Sequence, residues 1–537
     1  MRRAIITIVF ATVFLVIAVH RAQAGGFSKD PPPGIVPTTV TLDSVLAAHL
    51  KAIGKAADPN ASVVEVDDIT TGGMTGTWRS VSAGDIYADT QTLGPFTTRS
   101  GTNNGYDWAQ DENGIVTHIQ GVHQRGDVDL RALDEAVKQP SSDVKLLGEI
   151  TTPVSAYVVE VNPPDGRREW LMYDTTTGLL DRVESIYPTN REVDTYADYR
   201  TQNGITEAWS GTSSDGDPHD DFAWTIKSLT YGAPVDPAEL VVPQSRPFVT
   251  FPIGSASEKL PIRIIDGDII ITLTVNGRGY DFQLDSGSSD INVDYAAAQQ
   301  MGLTLYGQST GGGVGKVIEA ASVIPSVSVG NLTMTNVAVT VLPFSFFEDA
   351  KTKVVGLVGY DFIASMVLRI DYDDGSGEAY PLGTYTPASD AFVLPVALDD
   401  QVPIVSAQIG QSIGDHFVLD TGASVGFVFS TFANAHPADL RDQGSGSRLS
   451  EFIPFMEAEG VGGSVAIKPT QVKVFNVGGV SFDEWIVYVE DSASLAGEDY
   501  DGLIGYDFLK YFSLVFDYRD SFIYLEPNAT FRRNVTH

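Results

Sequence analysis

The fold of this chain is decided by the stretch Tyr280-Asp281-Phe282-Gln283-Leu284-Asp285-Ser286-Gly287, in which an apolar strand runs into a tight turn. The stretch His416-Phe417-Val418-Leu419-Asp420-Thr421-Gly422 has the same form. One Asp-(Ser/Thr)-Gly tripeptide is expected by chance in roughly one chain of this length in every few. Two of them in matching settings indicate a unit present twice, which would bring Asp285 and Asp420 together across a pseudo-twofold axis.

Landmarks around the two turns recur in the same order, as an internal duplication predicts. Four pairs of segments share this order: Leu260-Pro261 with Leu394-Pro395, Val329-Gly330 with Val477-Gly478, residues 356–362 with 502–508, and Asp371-Tyr372 with Asp517-Tyr518. The difference in residue number between equivalent positions of the two copies changes only slowly along the chain. Loops of different length in the two copies explain this change.

Each copy is predicted to be an all-β unit. Val, Ile, Thr, Phe and Tyr are abundant in both copies, and glycine-based turns separate the short apolar runs. We expect one lobe over residues 246–390 and a second over 391–537. In the first lobe the pattern favours one helix, over residues 293–301.

Glycines mark two further features that both copies contain. A glycine-rich stretch follows each turn, with Gly311, Gly312, Gly313 and Gly315 in the first copy and Gly460, Gly462 and Gly463 in the second. Further along, an apolar-apolar-Gly segment ends at Gly359 in the first copy and at Gly505 in the second.

With these motifs, residues 247–537 resemble an aspartic peptidase of the pepsin/retropepsin superfamily. The sequence Asp420-Thr421-Gly422-Ala423-Ser424 is closer to retropepsin-like bacterial members than to pepsin itself. The resemblance implies a mainly β fold, with two duplicated retropepsin-like β-barrel lobes and the active-site cleft between them. It also implies that the glycine-rich hairpins are flaps, and that the segments ending at Gly359 and Gly505 form ψ-shaped loops beneath the turns. Ser286 and Thr421 should then bond across the axis and lock the turns together.

Paired carboxyls suit peptide hydrolysis without a metal or a cofactor. Two carboxyls about 3 Å apart cannot both ionise cheaply, so they share one proton. The ionised carboxyl takes a proton from a bound water, and the protonated one donates a hydrogen bond to the scissile carbonyl. Gly287 and Gly422 let the backbone turn tightly beside the carboxyls. We therefore predict an aspartic endopeptidase with Asp285 and Asp420 as its catalytic dyad, complete in a monomer and acting on a peptide or protein substrate.

The two turns differ at the next residue, which is Ser288 in the first copy and Ala423 in the second. A hydroxyl that bonds a carboxylate stabilises the charged form. The hypothesis from sequence is that Asp285 is the more acidic partner, and that Asp420 holds the shared proton.

Other functions fit part of the pattern. A non-catalytic periplasmic protein could use the same scaffold to bind peptides or lipids, although it would have no need of two poised acids. A carbohydrate-active enzyme would need its two carboxyls at least about 5 Å apart. Gly410-Gln411-Ser412-Ile413-Gly414 matches a nucleophile elbow. It precedes a predicted strand where an elbow requires a helix, so we expect a hairpin turn there.

The N-terminus has the pattern of an export signal. Arg2 and Arg3 precede a mostly apolar run over residues 4–19, and Ala22-Gln23-Ala24 is a cleavage-site pattern. We expect a signal peptide over residues 1–24 and a Gly/Pro-rich linker over 25–37. The predicted location is periplasmic or secreted, with no membrane span after signal cleavage. An uncleaved anchor is the alternative.

Composition restricts the partners and the chemistry. The chain of 537 residues has a formal net charge of −35 and contains no cysteine. The charge argues against nucleic acid as a partner, because the phosphates would repel it. The lack of cysteine excludes thiol nucleophiles, zinc–thiolate sites and disulfides. An exported protein without disulfides fits a bacterial periplasm or exterior.

Residues 38–245 are predicted to form a separate antiparallel α+β domain. A helix is expected over residues 42–56, followed by strands near 156–161, 169–173, 180–187 and 222–231. This order is similar to the periplasmic lipoprotein-carrier fold of LolA and LolB. The resemblance implies a hydrophobic ligand as a second partner.

Overall fold

The computed structural model describes residues 28–54, 61–103, 106–118, 143–164, 167–187, 190–312, 315–344, 353–399, 401–440, 456–461, 463–490 and 500–534. The predicted signal peptide and the first residues of the predicted linker lie outside these ranges.

The described chain divides into two compact units. The first contains the described residues up to 111, then 118–243 and 307–310, and the second contains 112–117, 244–306 and the residues from 311 onward. The chain leaves the first unit near the boundary predicted at 245–246. The sequence did not predict that residues 112–117 belong to the second unit and residues 307–310 to the first. Which unit a short segment packs with depends on contacts between residues that are far apart in the chain.

Within the described ranges, one helix and fifteen strands precede the main boundary. They are α1 (Leu42–Ile53), β1 (Val63–Thr71), β2 (Met74–Ala83), β3 (Ile86–Leu93), β4 (Phe96–Asn103), β5 (Tyr106–Gln110), β6 (Val116–His118), β7 (Val144–Ile150), β8 (Ala156–Val161), β9 (Glu169–Asp174), β10 (Leu180–Ile186), β11 (Arg191–Ala197), β12 (Arg200–Gln202), β13 (Ile205–Glu207), β14 (Ser210–Ser214) and β15 (Phe222–Tyr231), followed by a 3₁₀ turn at Pro237–Leu240. Thirteen strands form one sheet, ordered β6-β5-β4-β3-β2-β1-β15-β14-β11-β10-β9-β8-β7.

Local sequence explains helix α1. The Thr41 side chain accepts a hydrogen bond from the backbone N–H of Ser44, so it caps the first turn. His49 on the buried face packs against Tyr173 with ring centroids 4.8 Å apart and the rings tilted by 55°, and its Nδ1 lies 3.0 Å from the carbonyl oxygen of Gly178. The helix ends at Ile53, before the positive φ of Gly54. The four predicted strands are β8, β9, β10 and β15.

Polar side chains are buried on the β3–β4 part of the first unit's sheet. Asp89 pairs across the strands with Ser100, and Gln91 pairs with Thr98. All four are buried. Burial raises the pKa of Asp89 to about 7. This unit therefore carries an acid that titrates near neutral pH, apart from the predicted dyad.

The second unit contains two lobes and a joining sheet. Their strands are β16 (Glu258–Leu260), β17 (Ile262–Ile265), β18 (Asp268–Val275), β19 (Arg278–Leu284), β20 (Ile291–Asp294), β21 (Tyr306–Gly312), β22 (Lys316–Val329), β23 (Leu332–Leu342), β24 (Gly356–Val358), β25 (Val367–Asp371), β26 (Ser376–Tyr380), β27 (Phe392–Pro395), β28 (Ala397–Asp399), β29 (Val402–Ile409), β30 (Ser412–Leu419), β31 (Phe427–Val428), β32 (Met456–Gly460), β33 (Gly463–Val477), β34 (Val480–Glu490), β35 (Gly502–Ile504), β36 (Phe512–Asp517) and β37 (Phe522–Pro527). The helices are α2 (Tyr295–Met301), α3 (Tyr360–Ile363), α4 (Ser430–Ala435), α5 (Tyr506–Leu509) and α6 (Ala529–Asn534), with a 3₁₀ turn at Tyr518–Asp520.

The two lobes have the same strand order. The first sheet runs β17-β18-β19-β24-β20-β23-β22-β21, and the second runs β28-β29-β30-β35-β31-β34-β33-β32. A six-stranded sheet, β16-β26-β25-β36-β37-β27, joins the lobes, because β25 of the first pairs with β36 of the second. The mainly β fold with two matching lobes is confirmed.

The helix predicted over 293–301 begins at Tyr295. Val293 belongs to β20, where it pairs with Val341 and Gly356. Asp294 caps the helix, since its side chain accepts hydrogen bonds from the backbone N–H groups of Ala296 and Ala297. The β-branched Val293, at the start of the predicted helix, therefore pairs in the sheet instead of beginning the helix.

Candidate active site

Each predicted catalytic aspartate follows directly after a central strand of its lobe. The backbone N–H of Asp285, after β19, donates to the carbonyl oxygen of Val358 at 2.9 Å. The backbone N–H of Asp420, after β30, donates to the carbonyl oxygen of Ile504 at 3.0 Å. Strands β24 and β35 run parallel to β19 and β30, so each turn rests on a ψ-shaped pair of strands.

The Asp285 and Asp420 side chains are hydrogen-bonded to each other. Both residues are half-buried, as expected for the floor of a cleft. Burial and then the charge of Asp420 hold the pKa of Asp285 well above its usual range. Burial also raises the pKa of Asp420, while hydrogen bonds from Asp285 and from two backbone N–H groups oppose the rise. The two groups therefore titrate as a pair.

Backbone donors distinguish the two carboxyls. Oδ1 of Asp285 accepts from the N–H of Gly287 at 2.8 Å. Oδ1 of Asp420 accepts from the N–H groups of Gly422 at 2.7 Å and Ala423 at 3.2 Å. The extra donor stabilises a negative charge on Asp420.

The hypothesis from sequence, that Asp285 is the more acidic partner, relied on a bond from the Ser288 hydroxyl. That hydroxyl donates instead to the carbonyl oxygen of Asp290 at 3.1 Å and accepts from Asn292 Nδ2 at 2.7 Å. The premise of the hypothesis is therefore contradicted, because the serine had been assigned to the carboxylate from its place in the chain alone. Backbone N–H directions, which sequence does not show, decide the asymmetry.

Four hydrogen bonds join the two turns. The N–H of Ser286 donates to Thr421 Oγ1 at 2.9 Å, and the N–H of Thr421 donates to Ser286 Oγ at 3.0 Å. The Ser286 hydroxyl also donates to the carbonyl oxygen of Leu419 at 2.7 Å, and the Thr421 hydroxyl donates to that of Leu284 at 3.0 Å. Both side chains are fully enclosed. These bonds hold the carboxyls of different lobes in contact.

The glycines of the turns and of the ψ-loops lie so close to neighbouring atoms that they leave no room for a Cβ. A Cβ on Gly287 would lie 2.7 Å from Cγ of Asp420, and a Cβ on Gly422 would lie 2.5 Å from Cγ of Asp285. A Cβ on Gly359 or on Gly505 would collide with the backbone that follows the adjoining turn. Each of these positions therefore excludes a side chain.

The flap candidates lie on two hairpins, β21–β22 and β32–β33. Gly311 and Gly312 end β21, Gly315 precedes β22, Gly460 ends β32 and Gly463 begins β33. Gly313 and Gly462 lie outside the described residues. The N–H of Gly315 donates to the carbonyl oxygen of Val461 at 3.0 Å, so the two hairpins meet.

Two pairs of tyrosines near the dyad were not assigned to the site from the sequence. Tyr518 is buried, and its pKa is raised well above the usual range by burial and by the charges of both dyad carboxyls. Its ring stacks on Tyr360 at 6.0 Å, and Tyr372 packs on Tyr506 at 5.3 Å. All four tyrosines lie in segments that recur in both copies of the duplication, and this recurrence is the sequence signal that could have identified them.

Ser412 is the first residue of β30, directly after the hairpin turn that joins β29 to β30. Its hydroxyl donates to Asp439 Oδ2 at 2.6 Å and lies 3.0 Å from His436 Nδ1. A nucleophilic serine gives its proton to a histidine that an acid orients. Here the serine hydroxyl donates its hydrogen bond to the acid instead, so the cluster is a turn-stabilising network.

No group of three or more His, Asp or Glu side chains suited to a metal ion occurs among the described residues. Within those same ranges, none of the helices has the length and apolar character needed to cross a membrane.

Comparison with known proteins agrees with this geometry at the level of the family. A family model described as aspartyl protease matches residues 271–362, which include the first turn and Gly359. The resemblance to aspartic peptidases predicted from the sequence is thereby confirmed. No curated protein matches the chain.

Three solved structures illustrate the likeness in fold. An aspartic proteinase from Irpex lacteus is 14% identical with a TM-score of 0.32, and the match covers 51% of this chain and 98% of that one. A LolA superfamily protein from Nitrosomonas europaea is 12% identical with a TM-score of 0.28, covering 38% and 99%. A DUF1329 family protein from Desulfovibrio piger is 14% identical with a TM-score of 0.28, covering 38% and 98%.

Proposed function

We propose that this protein is an exported aspartic endopeptidase that hydrolyses peptide bonds with a water activated by Asp285 and Asp420. The observation that carries the proposal is the hydrogen bond between these two carboxyls, one at the end of a matching strand in each lobe. The aspartyl protease match over the first lobe supports the same class of hydrolase.

The division of labour follows from the backbone donors. Asp420 carries the negative charge, because its Oδ1 accepts from both Gly422 and Ala423. It takes a proton from a water bound between the carboxyls. Asp285 holds its proton and donates a hydrogen bond to the carbonyl oxygen of the scissile peptide, which makes the carbon more electrophilic.

After water attacks, the protons are redistributed within the dyad. The water oxygen forms a bond to the carbonyl carbon, and a tetrahedral intermediate with two oxygens results. Asp420 then gives its proton to the leaving amine nitrogen while the C–N bond breaks. The hydrogen bonds between Ser286 and Thr421 keep both carboxyls aligned through these steps.

The alternative of a non-catalytic binding protein is disfavoured by the same contact. Two half-buried carboxyls with raised pKa values destabilise the folded state at neutral pH, and a binding protein gains nothing from them. Carboxyls in hydrogen-bond contact also disfavour a carbohydrate-active enzyme, whose acids stand at least about 5 Å apart. Export is proposed from the N-terminal signal pattern, and the hydrophobic ligand of residues 38–245 stays a prediction.

Cleavage of an unstructured protein substrate tests the function. Asp285→Asn and Asp420→Asn should each lower kcat by at least about a hundredfold, since general acid–base catalysis contributes about 10²–10⁴-fold. Asp281→Asn is the matched control, because Asp281 precedes the turn and pairs instead with Arg263 at 2.7 Å. Full activity in either dyad variant would exclude this mechanism.

A further inference from the structure

A short segment, residues 112–117, is anchored in the second unit, although the described residues on both sides of it belong to the first. Ile115 is buried in an apolar core that contains residues of both lobes. The carbonyl oxygen of Gly114 accepts a hydrogen bond from the backbone N–H of Arg246 at 2.7 Å. Apolar burial and backbone hydrogen bonding therefore hold the segment in the second unit.

The side chain of Asn113, in the same segment, makes three hydrogen bonds. Its Nδ2 donates to Asp361 Oδ2 at 2.9 Å and to the carbonyl oxygen of Ala338 at 3.2 Å. Its Oδ1 accepts from the backbone N–H of Ala338 at 2.8 Å. Asn113 is 3% exposed and Asp361 is 2% exposed. Because both side chains are removed from water, the loss of these bonds would be costly.

At Ala338 the Asn113 amide takes the place of a neighbouring strand. Ala338 lies on β23, which pairs on one side with β22. On its other side, the pairing of β23 with β20 begins only at Thr340. Asn113 therefore satisfies the N–H and the carbonyl oxygen of a strand residue just before this pairing starts.

Asp361 is directly connected to the first catalytic turn. It is the second residue of α3, after Tyr360. The backbone N–H of Tyr360 donates to the carbonyl oxygen of Ser288 at 3.0 Å, and that of Gly359 donates to the carbonyl oxygen of Asp290 at 3.1 Å. Ser288 and Asp290 follow the first catalytic turn in the chain, so a displacement of Asp361 would be passed on to that turn.

The second copy holds the equivalent carboxyl in another way. Asp507 accepts hydrogen bonds from the backbone N–H groups of Phe508, at 3.0 Å, and of Gly426, both in its own lobe. Asp507 is also only half-buried, whereas Asp361 is buried. The bond from Asn113, which lies outside the duplicated sequence, therefore distinguishes the first ψ-loop from the second.

We propose that Asn113 is a positioning residue for the first catalytic turn, and that it acts through the carboxyl of Asp361. The inference rests on the proposed peptidase function and adds to it a residue that precedes the duplicated lobes in the chain. Residues 112–117 are then a lasting part of the peptidase unit. A form of the chain that begins after residue 117 would lose all three hydrogen bonds of Asn113.

Amide hydrogen exchange of the full chain tests this inference without depending on catalysis. In Asn113→Ala, residues 357–363 should exchange at least about tenfold faster than in the wild type, because the first ψ-loop loses a buried hydrogen bond. Residues 503–509 of the second lobe are the internal control and should exchange at the wild-type rate. Equal changes in the two segments, or no change in either, would overturn the proposal.

Kinetic constants test the effect on the catalytic turn. Asn113→Ala should lower kcat at least about tenfold and leave KM within about threefold, because it misplaces a catalytic group without touching the substrate. Asn331→Ala is the matched control. Asn331 also donates from Nδ2 to a carboxylate of the first lobe, Glu258 at 2.8 Å, but on an exposed surface. Its kcat should stay at the wild-type value, and the same result for Asn113→Ala would contradict a positioning role.

Exchanging the two side chains separates the hydrogen-bonded pair from packing alone. Asn113→Asp by itself places two buried carboxyls in contact, so it should be at least as slow as Asn113→Ala. Adding Asp361→Asn restores an amide opposite a carboxylate and should raise kcat at least about threefold above that single variant. Absence of any recovery would mean that the pair does not position the turn.

The exchange and kinetic measurements also distinguish failure of this inference from failure of the proposed function. Selectively faster exchange of residues 357–363, in a protein that cleaves no peptide, would support the connection from Asn113 and reject the peptidase. Normal exchange and normal kcat in an active Asn113→Ala protein would reject the connection and leave the peptidase standing.

Discussion

Ser286 and Thr421 each donate a backbone N–H to the hydroxyl of the other, at 2.9 and 3.0 Å. The two residues belong to different lobes and lie next to the two catalytic aspartates. Their hydroxyls are also donors to the carbonyl oxygens of Leu419 and Leu284. The contact between Asp285 and Asp420 therefore depends on a hydrogen-bonded frame directly beneath them.

Thr421→Val should destabilise this frame. The isosteric change leaves the Ser286 N–H and the Leu284 carbonyl without their buried partner, and each costs about 1–3 kcal/mol. We expect the free energy of unfolding to fall by about 2–4 kcal/mol in urea titrations, together with loss of activity. Thr421→Ser keeps both bonds and should retain most of both properties. Equal stability of the Val and Ser variants would show that the frame contributes little.

The dyad should make stability depend on pH. The folded-state pKa of Asp285 is raised, so its contribution to stability is present at acid pH and is lost as pH rises. Asp285→Asn should therefore unfold at a higher temperature than wild type at pH 7, and the difference should shrink at pH 4. Asp420→Asn should gain less, because Asp420 receives two backbone hydrogen bonds. The opposite order of the two variants would restore the assignment made from sequence.

A second pH effect is expected in the first unit. Burial raises the pKa of Asp89 from 3.8 to about 7, so its contribution to stability is lost as pH rises from about 4 through about 7. At pH 8, Asp89→Asn should increase the free energy of unfolding of this unit by up to about 4 kcal/mol, since each pKa unit corresponds to about 1.4 kcal/mol. Asp68→Asn, at an exposed ion pair with Lys227, should change it by less than about 1 kcal/mol. A destabilised Asp89→Asn at pH 8 would refute the buried-acid explanation.

Gly422→Ala should separate the two carboxyls. The added Cβ would lie 2.5 Å from Cγ of Asp285, and relief of this contact displaces the side chain. We expect kcat to fall by at least about a hundredfold, because the shared proton is lost. Gly426→Ala is the control, since the nearest atom to its added Cβ is 3.4 Å away. Comparable activity of the two variants would mean that the dyad tolerates a larger separation.

Ser412→Ala tests the competing nucleophile. The Ser412 hydroxyl donates its hydrogen bond to Asp439, so the variant should keep peptidase activity within about twofold. It should lower the free energy of unfolding by about 1 kcal/mol through the lost hydrogen bond. Inactivation of a correctly folded Ser412→Ala protein would point to serine chemistry.

Much of the fold could be predicted because its local signals are strong. The strand β8 was predicted at its observed bounds of Ala156–Val161, since alternating apolar residues end at a proline-rich turn. The repeated segments 356–362 and 502–508 predicted matching ψ-loops, and the lobes share one strand order. The helix start at Tyr295 was not predictable, because Val293 pairs with strands far away in the chain.

The sequence by itself determined which residue types recur, and hence that Asp285 and Asp420 occupy equivalent turns. A repeat can reveal this because equivalent packing requires equivalent side chains in both copies. Only the tertiary structure showed how the surroundings of the two acids differ, since backbone N–H groups of Gly422 and Ala423 both point at the Asp420 carboxyl. It likewise decided that Val461 of the second lobe packs against Leu342, Phe344 and Leu357 of the first, because contacts between distant segments depend on how the strands pack.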